Sequence, residues 1–124
     1  MTKNSHTILV VDDTRTSRVN LELRLQRQGY HVISAGSGAE ALALLEQHPT
    51  DLVLLDLIMP DMDGHEVLIK IKADKRTSHI PVIMVSGEED YNGVKDCLRS
   101  GAQDYLFKPV HPEFLFAKIK TCLV

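Results

Sequence analysis

Five short runs of apolar, largely β-branched residues, each separated from the next by a segment of helical length, constrain this chain more than any other feature. The first, Thr7-Ile8-Leu9-Val10-Val11, is continuous and ends in two aspartates. A strand without polar alternation is one buried on both faces. The texture recurs at residues 31–35, 52–55 and 80–85, and in shorter form at 105–107. Helices are predicted between the runs at about 14–28, 39–47, 64–73 and 89–99, with a last one at 112–123. Gly29 and Gly101 stand where the first and fourth helices should stop. Strand-helix alternation of this kind implies a parallel sheet with right-handed crossovers and helices on both faces. The predicted class is therefore α/β, as one domain over residues 1–124 with a structured core of about 7–123.

Open sheets of this class bind ligands at the carboxyl ends of their strands. The residues there are Asp12 and Asp13 after the first run, Asp56 after the third, Ser86 after the fourth and Lys108 after the fifth. Three carboxylates against one lysine are costly unless a cation joins them. Oxygen ligation, with no His or Cys at these strand ends, suits Mg²⁺, or in its place Mn²⁺, rather than zinc. A metal also neutralises charge on the equatorial oxygens of a phosphoryl group under attack by a carboxylate. Asp56 is placed to be that nucleophile, ahead of a loop shaped by Pro60 and Gly64. Lys108 can pair with phosphoryl or carboxylate oxygens, and the Ser86 hydroxyl can donate to a third oxygen.

Composition narrows the alternatives. Apolar residues make up 44% of the chain and charged residues 25%, and no apolar run approaches the roughly 20 residues of a membrane helix. The net charge of −3 is spread through the chain without a basic stripe, so nucleic-acid binding by this domain is not expected. The first six residues are polar and lack the apolar stretch of a secretory signal. Cys97 and Cys122 have neither CxxC nor metal-ligand spacing and read as idle thiols, which fits a cytoplasmic protein.

Four groups of residues carry a family resemblance: Val10-Val11-Asp12-Asp13; Leu54-Leu55-Asp56 with Met59-Pro60 and Asp63-Gly64; Val85-Ser86-Gly87; and Asp104-Tyr105-Leu106-Phe107-Lys108-Pro109. In order and at these intervals they resemble the motif set of response-regulator receiver domains, of the CheY-like, flavodoxin-like fold, along essentially the whole chain. The resemblance implies that Asp13, Asp56 and the backbone carbonyl of Ile58 bind Mg²⁺ while Asp12 holds a metal-bound water. It implies that Asp56 becomes an aspartyl phosphate contacted by Lys108, that Ser86 swings to bond it, and that Tyr105 turns into the space Ser86 leaves. Such a switch is biased by a charged hydrogen bond of roughly 1.5 to 3 kcal/mol. The implied partners are a sensor histidine kinase or histidine phosphotransfer protein and a C-terminal output domain or effector. None of the chain's own histidines, His6, His31, His48, His65, His79 and His111, sits in a phosphodonor or ligand constellation.

Ser86 keeps the switch hydroxyl without the methyl of a threonine. Ile58 places an apolar group two residues after Asp56, where with Glu88 it is expected to tune phosphoryl hydrolysis. Asp61 and Asp63 are expected in a solvated loop outside the site. An aspartate-nucleophile phosphohydrolase shares the chemistry but needs a second acid after the nucleophile, where this chain has Leu57 and Ile58. A phosphorylation-independent interaction module on the same fold is the third reading, opposed by the full acidic set. A flavin module lacks its phosphate-cradling loop after the first strand. In the first helix Leu21 and Leu25 share one face while Val19 and Leu23 lie nearly opposite, giving either a broad core stripe or an apolar partner patch on a helix the family uses for kinase docking. Phe114 falls off the core spacing of Leu115, Ile119 and Cys122. The ending at Val124 suggests an amino-terminal receiver cut from a longer protein with an output domain, the alternative being a stand-alone receiver. The mixed charges of Asp90, Lys95, Arg99 and Asp104 fit a monomer or a homodimer equally.

Overall fold

The computed structural model describes residues 6–123; the polar amino-terminal stretch read above lies, but for His6, outside the described residues, as does Val124. Five strands, β1 (Thr7–Val11), β2 (His31–Ala35), β3 (Leu52–Asp56), β4 (Val82–Ser86) and β5 (Asp104–Phe107), form one parallel sheet in the order β2-β1-β3-β4-β5. Five helices connect and follow them: α1 (Arg15–Arg27), α2 (Gly38–Gln47), α3 (Gly64–Ala73), α4 (Tyr91–Arg99) and α5 (Pro112–Cys122).

The continuous apolar strands are buried on both sides because alternate residues serve two cores. Leu9, Val11, Val53, Leu55 and Met84 pack with Ala41 of α2, Val67 and Ile71 of α3, and Val94 and Cys97 of α4. Ile8, Val10, Leu52, Leu54 and Ile83 face the other way, onto Leu21 and Leu25 of α1 and Leu115 and Ile119 of α5. Two helices thus cover one face and three the other. Among the described residues no helix is long and apolar enough to cross a membrane.

Helix ends follow local chemistry. Ser37 and Asp63 cap α2 and α3 by accepting from the backbone N–H groups of Glu40 and Glu66 at 3.2 and 2.9 Å. Gly29 and Gly101 adopt φ of 94° and 113° just past α1 and α4, a conformation that glycine takes without a Cβ penalty. Two expected starts shift by two residues. β4 begins at Val82 rather than residue 80, after Pro81, which has no N–H to donate to a ladder. A 3₁₀ turn, Glu88–Asp90, precedes α4, so the fourth helix starts later than expected. In α1, Leu21 and Leu25 are buried while Val19 and Leu23 are 37% and 46% exposed, which rules out the broad core stripe for that helix.

Candidate functional site

The sheet order brings the predicted residues to one edge. Asp12 follows β1 and Asp56 ends β3, and β1 and β3 are neighbours with Val11 paired to Leu55. On the far side of β3, Asp56 pairs with Val85, and Ser86 at the end of β4 pairs with Phe107, so Lys108 emerges beside them. The backbone N–H of Lys108 donates to the Ser86 carbonyl at 2.8 Å, and the Lys108–Pro109 peptide is cis.

Carboxylate oxygens of Asp12, Asp13 and Asp56 all lie within 4.8 Å of one another. Asp12 and Asp56 are buried, and Asp13 is exposed. Lys108 Nζ stands 3.2 Å from Asp56 Oδ1 and 3.9 Å from Asp12 Oδ2. Burial pushes the Asp56 carboxyl up from 3.8 to about 6; Lys108 pulls it back, and Asp12 and Asp13 add repulsion in the upward direction. This acidic cluster fits a divalent cation by its donor chemistry: oxygens only, converging, with fewer positive than negative charges around them.

Local structure holds the cluster open. Asp12 Oδ1 accepts from the N–H of Thr14 at 2.9 Å, and Arg18 Nη1 donates to the Asp12 carbonyl at 2.9 Å, fastening the loop from β1 to the first turn of α1. After β3, the Gly64 N–H donates to the Leu57 carbonyl at 2.6 Å. A Cβ at Gly64 would collide with the Asp56 carbonyl oxygen and the Leu57 Cα, so the loop returns to the backbone of Asp56 only because residue 64 is glycine. The Ser86 side chain is buried and its hydroxyl donates to the Gly87 carbonyl at 3.2 Å.

The remaining candidates spread around the mouth. Ile58 is 58% exposed and lines the same open cleft as Asp56, Ser86 and Lys108. Tyr105 is half-buried on β5, its ring 5.1 Å from that of Phe107 and 5.7 Å from the Lys118 ammonium, in a separate groove beside α5. Glu88 lines that second groove; Glu89 lines the cleft. Phe114 is 61% exposed at the groove's rim.

Asp61 and Asp63 lie outside the carboxylate cluster, but neither is merely solvated. Asp61 accepts from the N–H groups of Gly38 and Ala39 at 3.2 and 3.3 Å, tying the loop after β3 to the start of α2. Desolvation raises its carboxyl, and these bonds, with those from the backbone N–H groups of Met62 and Asp61, together outweigh it and hold the carboxyl below the ordinary value. Asp63 is the α3 cap described above. Sequence reasoning missed Arg18, Asp61 and Glu89. The spacings Ser37-x-x-Glu40 and Asp63-x-x-Glu66 were available signals for the two caps. Cys97 and Cys122 are both free thiols, pushed up chiefly by burial, Cys97 to about 11. No histidine joins the carboxylate cluster among the described residues; His65 Nε2 pairs instead with Ser100 Oγ at 2.8 Å, between α3 and the end of α4.

Comparison with known proteins gives a consistent result. A family model described as the response regulator receiver domain matches residues 8–120. The chain is 42% identical over 117 residues to a probable cyclic di-GMP phosphodiesterase of Vibrio cholerae, covering 94% of this chain and 26% of that protein. It is 37% identical to protein PilH of Pseudomonas aeruginosa, covering 94% and 96% respectively. A crystal structure of a putative response regulator from Chloroflexus aurantiacus superposes with a TM-score of 0.92 at 33% identity, covering 97% of this chain and 98% of that one. Several of the curated relatives are much longer; the chain spans 26%, 50%, 47% and 25% of four of them.

Proposed function

The chain belongs to the response regulator receiver domain family of two-component systems, and from that premise we propose that it is a working phosphoacceptor switch with Asp56 as its acceptor. The observation that carries this reading is the convergence of the three carboxylates with Lys108 3.2 Å from Asp56. In the proposed reaction an Asp56 carboxylate oxygen forms a bond to phosphorus as the donor's P–N bond breaks. The donor is a phosphohistidine of a sensor histidine kinase or phosphotransfer protein, and its imidazole leaves and takes up a proton.

Asp12, Asp13, Asp56 and the Ile58 carbonyl would hold Mg²⁺, which when bound neutralises charge on the transferring phosphoryl group. The chain's own residues do the rest. Lys108 offers a fixed positive charge at the acceptor oxygen, where it needs little reorganisation. The Thr14 N–H and Arg18 hold Asp12 and its loop in place. Ser86 has only a neighbouring carbonyl as partner, so its hydroxyl can be redirected to a phosphoryl oxygen at small cost. Tyr105, half-buried at the edge of the β5–α5 groove, is the residue whose surroundings then change. The reading sets the domain in the cytoplasm, where thiols stay reduced, and couples it to an output domain or effector protein.

The test is intact-mass spectrometry after incubation with acetyl phosphate, with and without Mg²⁺, beside Asp56→Asn. One base-labile phosphoryl group that needs Mg²⁺ and is absent from the variant supports the reading. No gain, together with no Mg²⁺ binding, sinks it.

A further inference from the structure

The turn between β2 and α2 lines no part of the cleft that holds Asp56, Ser86 and Lys108, yet it touches both loops that carry the proposed metal ligands. On one side it meets the loop after β1. The Asp12 N–H donates to the Ala35 carbonyl at 3.1 Å, and Arg18, which donates to the Asp12 carbonyl, has Nη1 3.0 Å from where a Cβ on Gly36 would sit. On the other side it meets the loop after β3. Asp61 sets one carboxylate oxygen against the N–H of Gly38 and the other against that of Ala39, the first two residues of α2. Met62 presses on the same point: a Cβ on Gly38 would lie 3.1 and 3.3 Å from Met62 Cβ and Sδ, and 2.8 Å from Val67 Cγ2.

The first N–H groups of a helix have no partner within it, and a carboxylate is favoured beside them. Ser37, in the turn itself, takes only the N–H of Glu40. The two before it go to an aspartate 23 and 22 residues away, so the bonds that complete α2 also anchor the tip of the loop after β3. The base of that loop is held separately, by the Leu57 N–H on the Val85 carbonyl at 3.1 Å and by the Gly64 N–H on the Leu57 carbonyl. Ile58 lies between the two anchors.

We propose that Asp61 is a positioning residue for the metal site: by holding the loop after β3 against the first turn of α2, it fixes the Ile58 carbonyl relative to Asp12 and Asp13 and raises the affinity for Mg²⁺ without touching the ion. The proposal rests on the Mg²⁺ reading above and adds to it a residue outside the ligand set. Mg²⁺ demands near-octahedral oxygen geometry, and a site whose loops are already spaced for it loses less binding free energy to ordering them. Ser37 supplies the comparison, because it caps the same helix end without reaching the loop after β3.

The experiment titrates Mg²⁺ into the metal-free whole chain with no phosphodonor present, followed by backbone amide NMR shifts, for wild type, Asp61→Ala, Asp61→Asn and Ser37→Ala, with thermal melting of each. Asp61→Ala should weaken Mg²⁺ binding by about tenfold, the low end of what outer-shell partners of metal ligands contribute. Asp61→Asn, which keeps one accepting oxygen, should lose less, and it carries the comparison if the alanine variant does not fold. Ser37→Ala should lower the melting temperature and leave Mg²⁺ affinity where it was. In phosphoryl uptake from acetyl phosphate, the KM for Mg²⁺ should rise in Asp61→Ala by the same factor as the loss of affinity, while the rate at saturating Mg²⁺ moves far less. Unchanged affinity in the Asp61 variants overturns the proposal. An equal loss in Ser37→Ala also overturns it, since the effect would then belong to the stability of α2. A wild type that binds no Mg²⁺ overturns the metal reading itself, and that control separates the two failures.

Discussion

Lys108 approaches Asp56 at 3.2 Å from the end of a different strand, and this contact opposes the burial and the neighbouring acids that push the Asp56 carboxyl up to about 6. The Asp56 carboxylate is therefore mostly ionised at neutral pH while still costing the fold something to hold. Its behaviour toward protons, metal and substitution follows from that balance.

Asp56→Asn should stabilise the metal-free domain near neutral pH, by up to about 3 kcal/mol. The folded carboxyl titrates at about 6 and the ordinary value is 3.8. Below the ordinary value both states are protonated and the residue contributes no difference. Between the two values the folded state holds a proton that the unfolded state has lost, so stability falls as pH rises. Above the folded value the full penalty applies. Denaturant unfolding of both proteins from pH 3.5 to 8 should show the variant's advantage growing across this window and then levelling off. A constant advantage at all pH values would mean that ionisation is not its source.

Magnesium should act in the same place with the opposite dependence. Added Mg²⁺ should raise the melting temperature of the wild type at pH 7.5 and do much less for Asp56→Asn, since one ligand charge is gone. Differential scanning fluorimetry with and without a chelator reads this directly. An equal rise in both would argue that the ion binds elsewhere.

Lys108→Met removes the one cation in contact with Asp56 among the described residues. Phosphoryl uptake should fall by about a hundredfold, the order seen when a preorganised charge partner is removed. The pH at which uptake reaches half its maximum should also move upward, because the contact that lowers the Asp56 value is gone. A variant with a slower rate but an unmoved pH profile would show that Lys108 acts only on the transferred group.

Gly64→Ala should destabilise the domain by about 1–3 kcal/mol and weaken Mg²⁺ binding together. The added methyl meets the backbone of Asp56 and Leu57, which cannot swing aside as a side chain could. Chemical denaturation and metal titration on the same preparation test the pair. Lost stability with unaltered metal affinity would separate the turn from the site.

Much of this was legible before the fold was known. The strands announce themselves because both faces are buried, so Leu9 and Val10 are equally apolar although they face different cores. The site residues follow from the strand ends, and the sheet order then brings Asp12, Asp56 and Lys108 together. What was not legible depends on geometry that leaves no side-chain pattern. Arg18 binds a backbone carbonyl, which every residue has. The partners of Asp61 are backbone groups 22 and 23 residues away. Glu88 and Glu89 are indistinguishable as letters, and only the 3₁₀ turn decides which of them lines the cleft. Ser86 and Asp56 close their strands because backbone pairing continues past the last apolar residue.

The carboxylate edge draws on four stretches of chain whose strands lie next to one another only after the crossovers have formed. No fragment carrying a single strand and helix holds more than part of it. On the phosphoacceptor reading proposed above, phosphoryl uptake would be a certificate of completed folding: a nascent or locally unravelled chain would be invisible to the donor. By the same token, whatever occupies the edge clamps β1, β3, β4 and β5 at once, so its occupancy should slow global unfolding rather than quieten one loop.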